Sequence, residues 1–221
     1  MPTRTCSTPA KTPPALSANI GYVKVGAFNQ SGAAALAFAD GIQNTIRAAD
    51  RDSLIDWIVD LRGNGGGNMW PMIAGLGPII GESGIIGYFI DPFGVADAWE
   101  YRDGASWLQG KVIQSVSNAY QLRRPQPKVA VLQNSTISSS GEATLITFRQ
   151  RPNTRSFGSS SCGFSTANLG FRMADGGMLL LTVSTTTDRN KTMFGDRIAP
   201  DEEIADTALV VSWAVQWLMQ Q

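Results

Sequence analysis

The sequence has 221 residues, 43% hydrophobic and 16% charged, which supplies the apolar mass for a packed core and excludes a disordered chain. Eighteen Lys and Arg balance eighteen Asp and Glu, so no cationic excess exists to neutralise phosphates, and nucleic acid is excluded as a general partner. Histidine is absent, which excludes a histidine-ligated metal and any Ser-His-Asp or Cys-His site built from this chain alone.

Residues 1–17, rich in Pro and Thr, read as a flexible leader, and residues 18–221 as one domain without an internal linker. The leader lacks the unbroken apolar stretch of a signal peptide, and no run approaches the ~20 apolar residues of a membrane-spanning helix. No membrane partner is expected. As it stands the chain reads as cytoplasmic, or as exported if a signal peptide has been removed. Cys6 and Cys162 are too few for a disulfide framework and read as free thiols of a reducing compartment.

Ile20–Phe28 reads as a strand, and Gly32–Asp50 as a helix with Ala35, Ala39, Ile42 and Ile46 on one face. Ser53–Leu61 is a mostly apolar strand of the kind buried on both faces; it runs into the glycine cluster Gly63-Asn64-Gly65-Gly66-Gly67. Asn68 can cap a helix with Pro71 in its first turn. Gly84–Ile90 is a further strand, ended by the turn signal Asp91-Pro92, and Ala98–Ser117 reads as a hairpin turning at Asp103-Gly104. Lys128–Leu132 is a short buried strand, followed by serines and a helix from about Gly141 to Gln150. Thr154–Phe157, Phe171–Met173 and Met178–Val183 read as strands, and Ala205–Met219 as an amphipathic helix with Leu209, Trp213 and Trp217 on its apolar face. Strands alternate with helices, so the class is α/β with a mixed or parallel sheet.

Two strand-to-helix junctions carry residues fit for chemistry. Consecutive glycines after a buried strand allow positive φ and aim successive N–H groups outward, a nest suited to an anion or a developing oxyanion. A tight turn that merely needs glycine fits the same spacing. A phosphate loop does not, because no Gly-Lys-Ser/Thr follows. The second junction is Asn134-Ser135-Thr136-Ile137-Ser138-Ser139-Ser140-Gly141-Glu142. A serine at such a corner can be a nucleophile, while Ser139 with Glu142 three residues on also fits a simple capping box.

In this order the two junctions resemble the tail-specific (carboxyl-terminal processing) protease family of serine peptidases. That family includes the tricorn core protease, the nisin-resistance proteins and the interphotoreceptor retinoid-binding modules. Asp60–Gly67 matches its Asp-Leu-Arg-x-Asn-x-Gly-Gly element, and Ser139 with Glu142 its Ser-x-x-Glu element. Residues 157–168, Asp188 and Ile198-Ala199-Pro200-Asp201 resemble its later segments. The resemblance implies a single ClpP/crotonase-like β-β-α superhelical core with a mixed sheet. It implies Ser139 as nucleophile, with N–H groups of Gly65, Gly66 and Ser140 as the oxyanion hole. No cofactor is implied, and the substrate is a peptide or an ester.

The departures are as specific as the match. Phe164 stands where Ser-Lys members carry lysine, which leaves the Ser-His branch of nisin-resistance and tricorn proteins as the nearer one, yet no histidine exists here. No segment reads as the family's PDZ domain. Lys11, Lys24, Lys111, Lys128 and Lys191 read as surface charges, Glu142 as a cap more than a base, and Cys162 as a weaker candidate for the chemistry. Three readings stay open: a second chain supplies a histidine; the protein is a hydrolase of undemanding esters; or it is an inactive relative. In the last case it binds peptides or apolar ligands in a groove lined by Trp70, Trp99 and Trp107, each of which packs as readily in a core. The apolar terminal helix also offers a surface for homo-oligomer formation, although packing on the sheet is its simpler use.

Overall fold

The computed structural model describes residues 16–81 and 84–220. In chain order the elements are β1 (Ile20–Lys24), α1 (Gly32–Ala49), β2 (Asp56–Asp60), α2 (Met69–Ile80), β3 (Gly84–Ile90), β4 (Ala96–Arg102), β5 (Ala105–Leu108) and β6 (Lys111–Ser115). They continue with β7 (Val129–Gln133), α3 (Ser140–Ile146), β8 (Thr154–Gly158), β9 (Thr166–Arg172), β10 (Met178–Asp188), β11 (Glu202–Glu203) and α4 (Val210–Leu218). The α/β class holds, and parallel and antiparallel pairings both occur, segregated into two sheets. One sheet, in the order β1-β2-β7-β8-β11, is parallel at every pair. The other, β6-β5-β4-β3-β10-β9, is antiparallel throughout.

Burial explains the parallel sheet. Every residue of β2 and β7 is buried, as expected of strands covered on both faces. Trp57, Ile58 and Val59 each remove a large apolar side chain from water, worth about 1.5–3 kcal/mol apiece. On one side the core includes α2, whose sequence is apolar all round and whose glycines permit close approach. A Cβ on Gly75 would press on Ile42 of α1, and one on Gly77 would collide with the Tyr101 ring. Pro78 inside α2 has no N–H to offer the Ala74 carbonyl; Gln43 Nε2 donates to that carbonyl instead, at 2.9 Å.

The opposite side is covered by α4, and here the expected face is rotated. Val210, Ala214 and Leu218 are buried, Trp217 is half-buried against Phe157, and Leu209 and Trp213 are exposed. Both sets recur every four residues, so the periodicity of an apolar helix could not choose between them. The segment read as one hairpin is a three-stranded meander, because a second turn at Gln109-Gly110, both with positive φ, adds β6. The β9–β10 pair is longer than expected, and Leu169, Phe171, Leu179 and Leu181 stand exposed along it.

Candidate active site

Parallel neighbours deliver their ends to the same edge of a sheet. Here β2 leads into the glycine cluster and the adjacent β7 into the serine corner, so the two junctions meet. Three hydrogen bonds stitch them: Ser138 N–H donates to the Asn64 carbonyl at 3.1 Å, Ser138 Oγ to the Gly65 carbonyl at 2.8 Å, and Ser140 Oγ to the Gly67 carbonyl at 2.7 Å. Asn134 Oδ1 spans the same gap, accepting from Gly63 N–H and from Thr136 N–H and Oγ1. Gly66, at φ 96°, is so close that a Cβ there would lie 2.7 Å from the Ser138 carbonyl oxygen and 3.0 Å from Ser139 Cβ.

The glycine turn is braced from beneath. Asp60 is fully buried; its Oδ1 accepts from Arg62 N–H and Nε, and its Oδ2 from Arg62 Nη2 and Tyr22 Oη. Burial, then the Asp60 carboxylate, hold the Tyr22 phenol well above its ordinary pKa. Asn64 Oδ1 accepts from Gly66 N–H at 3.0 Å, so that amide is already occupied. The N–H groups of Gly65 and Ser140 meet no acceptor among the described residues. Asn68 caps α2 as expected, its Oδ1 accepting from Trp70 N–H.

Ser139 has φ 51° and ψ −121°, a conformation that an L-residue enters only under constraint. Glu142 supplies that constraint. Its carboxylate is fully buried and accepts four hydrogen bonds, from Ser139 N–H, Ser161 Oγ, Gly163 N–H and Phe164 N–H. Ser161 Oγ in turn accepts from Ile198 N–H, so the Ile198–Asp201 segment backs the serine corner from behind. A carboxylate with four donors anchors the corner, which accords with the reading of Glu142 as a cap more than a base.

The remaining candidates lie elsewhere. Lys24 is exposed at the end of β1 and Lys111 on exposed β6; Lys128 donates to the Gln220 carbonyl and Lys191 sits 5.0 Å over the Tyr88 ring. None of these four contacts Ser139, and Lys11 lies outside the described residues. Asp188 Oδ1 accepts from the N–H groups of Asn190 and Thr192 and so closes its own turn. Of the three tryptophans, Trp99 is core and Trp107 lies under the Arg102 guanidinium at 3.7 Å. Trp70 alone adjoins the glycine turn, edge-on to Phe89 at 6.4 Å.

Cys162 is disulfide-bonded, which corrects the expectation of a free thiol and removes the basis for a reducing compartment. Two cysteines so far apart in sequence give no spacing signal; Cys6 lies outside the described residues. Asn64, Asn134, Ser138 and Ser161 were not singled out by sequence, because their work is to join segments that only the fold brings together.

The sequence model of peptidase family S41 matches residues 19–204. The nisin-resistance protein of Lactococcus lactis subsp. lactis is 32% identical over 165 residues, which are 74% of this chain and 50% of that protein. The chain thus spans half the length of that curated relative. Among solved structures, a lipoprotein from Streptococcus agalactiae superposes with a TM-score of 0.72 at 24% identity, covering 93% of this chain and 68% of that one. The photosystem II D1 C-terminal processing protease superposes at 0.63 with 18% identity, covering 84% and 42%. At such identities these two structures speak to the fold alone. With the family match running over most of its length and a relative above 30% identity, the chain belongs to peptidase family S41.

Proposed function

We propose that the chain is a serine hydrolase that attacks ester or peptide carbonyls through an acyl-enzyme on Ser139. The observation that carries this reading is the stitched pair of corners, which sets a constrained serine against a glycine turn with unspent N–H groups. Ser139 Oγ gives its proton to water, or to a histidine from a second polypeptide, and bonds to the carbonyl carbon. The oxyanion takes hydrogen bonds from Gly65 and Ser140 N–H, and its collapse breaks the bond to the leaving group, which takes up that proton and departs as alcohol or amine. Water then attacks the acyl group and releases the acid. Gly66 contributes by its missing side chain, since its N–H is held by Asn64.

No base in the chain reaches Ser139 among the described residues, so the hydroxyl is a weak nucleophile unless a histidine comes from a second polypeptide. A serine hydrolase lacking a triad member retains ~10³–10⁴-fold acceleration over water, enough for activated esters and too little for a peptide bond. Esterase-like activity is therefore the expected behaviour of the isolated chain. A cavity of about 450 Å³ is lined by Phe89, whose ring Trp70 meets edge-on, and by Phe93, Val95 and Leu169, with Asp91 and Asp97 also in its wall; its apolar part suits an apolar substrate group.

The test compares wild type with Ser139→Ala for p-nitrophenyl ester turnover and fluorophosphonate labelling. Turnover and labelling that vanish in the variant support the hydrolase. A wild type that remains unlabelled at every pH up to ~10 overturns it and favours the second reading, a binding module for peptides or apolar ligands.

A further inference from the structure

Helix α2, which begins just after the glycine turn, ends at a second concavity. Helix α2, at 1.5 Å per residue, spans about 18 Å, so this cavity is remote from the serine corner. It measures about 500 Å³, in the range of small-molecule sites, and is lined by Pro78, Ile80, Tyr101, Leu122, Arg151 and Arg189 among others. Arg151 is only 6% exposed. Its Nε donates to the carbonyls of Ile79 and Ile80, and its Nη1 to those of Pro127 and Pro152 and to Thr154 Oγ1. Its Nη2 meets no acceptor among the described residues. Arg189 donates Nη2 to the Thr147 carbonyl at the end of α3, and its buried Nε has no partner among the described residues.

Two guanidinium groups thus share one cavity with donors unspent. Burial, and then the charge of Arg189, push Arg151 down to about 10, and burial lowers Arg189 as well, against the pull of Asp188. No carboxylate is found among the described lining residues, and Asp188 Oδ1 is committed to backbone amides. Like charges held in a poorly solvated space are costly, and an anion that accepts the spare N–H groups relieves both penalties. The walls of Pro78, Ile80, Leu122 and Tyr101 favour a hydrocarbon or aromatic body behind that anion. We propose that this cavity is a binding site for a small organic carboxylate with an apolar body, held by Arg151 and Arg189.

The inference does not depend on hydrolysis at Ser139, and calorimetric titration separates the two. Hexanoate and benzoate are the probes, with hexanamide and benzamide as neutral controls, on wild type, Ser139→Ala, Arg189→Gln and Glu82→Gln. Arg189 is the residue to change because Arg151 holds five bonds to the frame. Expected are saturable binding of an acid at least ~10-fold tighter than its amide, no change in Ser139→Ala, and at least ~10-fold weakening in Arg189→Gln. If Arg189→Gln does not fold, Arg189→Met replaces it with the same outcomes. The proposal is overturned if neither acid binds wild type, if amides bind equally, or if the Arg189 variant binds undiminished. Binding lost in Ser139→Ala also overturns it, by placing the acid at the serine. Glu82 follows the lining residue Gly81 in sequence, and binding seen only in Glu82→Gln overturns it too, by making that side chain the occupant.

Discussion

Ser139 keeps a backbone conformation that glycine would adopt freely, and the cost of such residues is on the order of 1–3 kcal/mol. Ser139→Gly is therefore expected to end labelling yet raise stability by about 1 kcal/mol, after allowing for the extra chain entropy of glycine, as read by chemical denaturation. Ser139→Ala keeps the strain and gives up the hydroxyl's capping contact with the Glu142 backbone, so a loss of about 0.5–2 kcal/mol is expected. Glu142 bears on the same strain. Glu142→Gln turns an amide N–H₂ toward groups that are themselves donors, so a loss of at least ~2 kcal/mol is expected together with loss of labelling. A glutamate serving only as a base would lose activity and keep its stability.

At the scale of elements, the glycines of the turn are unequal. Ala at Gly65 would meet nothing within 4 Å, whereas Ala at Gly66 would combine φ 96° with contact on the Ser138 carbonyl. Gly65→Ala should retain labelling and melting temperature; Gly66→Ala should lower stability by at least ~1 kcal/mol and abolish labelling. Tyr22 ties β1 to the end of β2 through Asp60. Its phenol is raised in the folded state, so the stabilisation it brings is complete below the ordinary value of 10.0 and is lost as pH climbs past it. Alkaline denaturation curves should therefore fall more steeply above that pH for wild type than for Tyr22→Phe. Both junctions were legible in sequence because strand, turn and cap are written in neighbouring residues: Ser139 with Glu142, and Asn68 ahead of α2. The bonds between the junctions, the rotation of α4 and the bonded state of Cys162 were not, since each depends on which surfaces meet in the fold.

For the molecule as a whole, the two sheets differ in how their strands find one another. Strands β4 to β6 pair only with immediate sequence neighbours, whereas the parallel sheet joins strands drawn from residues 20 to 203. Pairings that close long loops form late. On refolding from denaturant, recovery of fluorophosphonate labelling should lag the tryptophan fluorescence of the meander, which holds Trp99 and Trp107. Coincident time courses would refute that order.

The seam where β2 lies against β7 has a consequence for the life of the polypeptide. An unfinished or partly unravelled copy lacks the assembled corner, because the serine and its glycine cradle belong to stretches about seventy positions apart that come together only when those strands dock. If Ser139 is the nucleophile proposed above, a lesion that parts this seam removes the proposed reactivity even where the flanking elements stay folded.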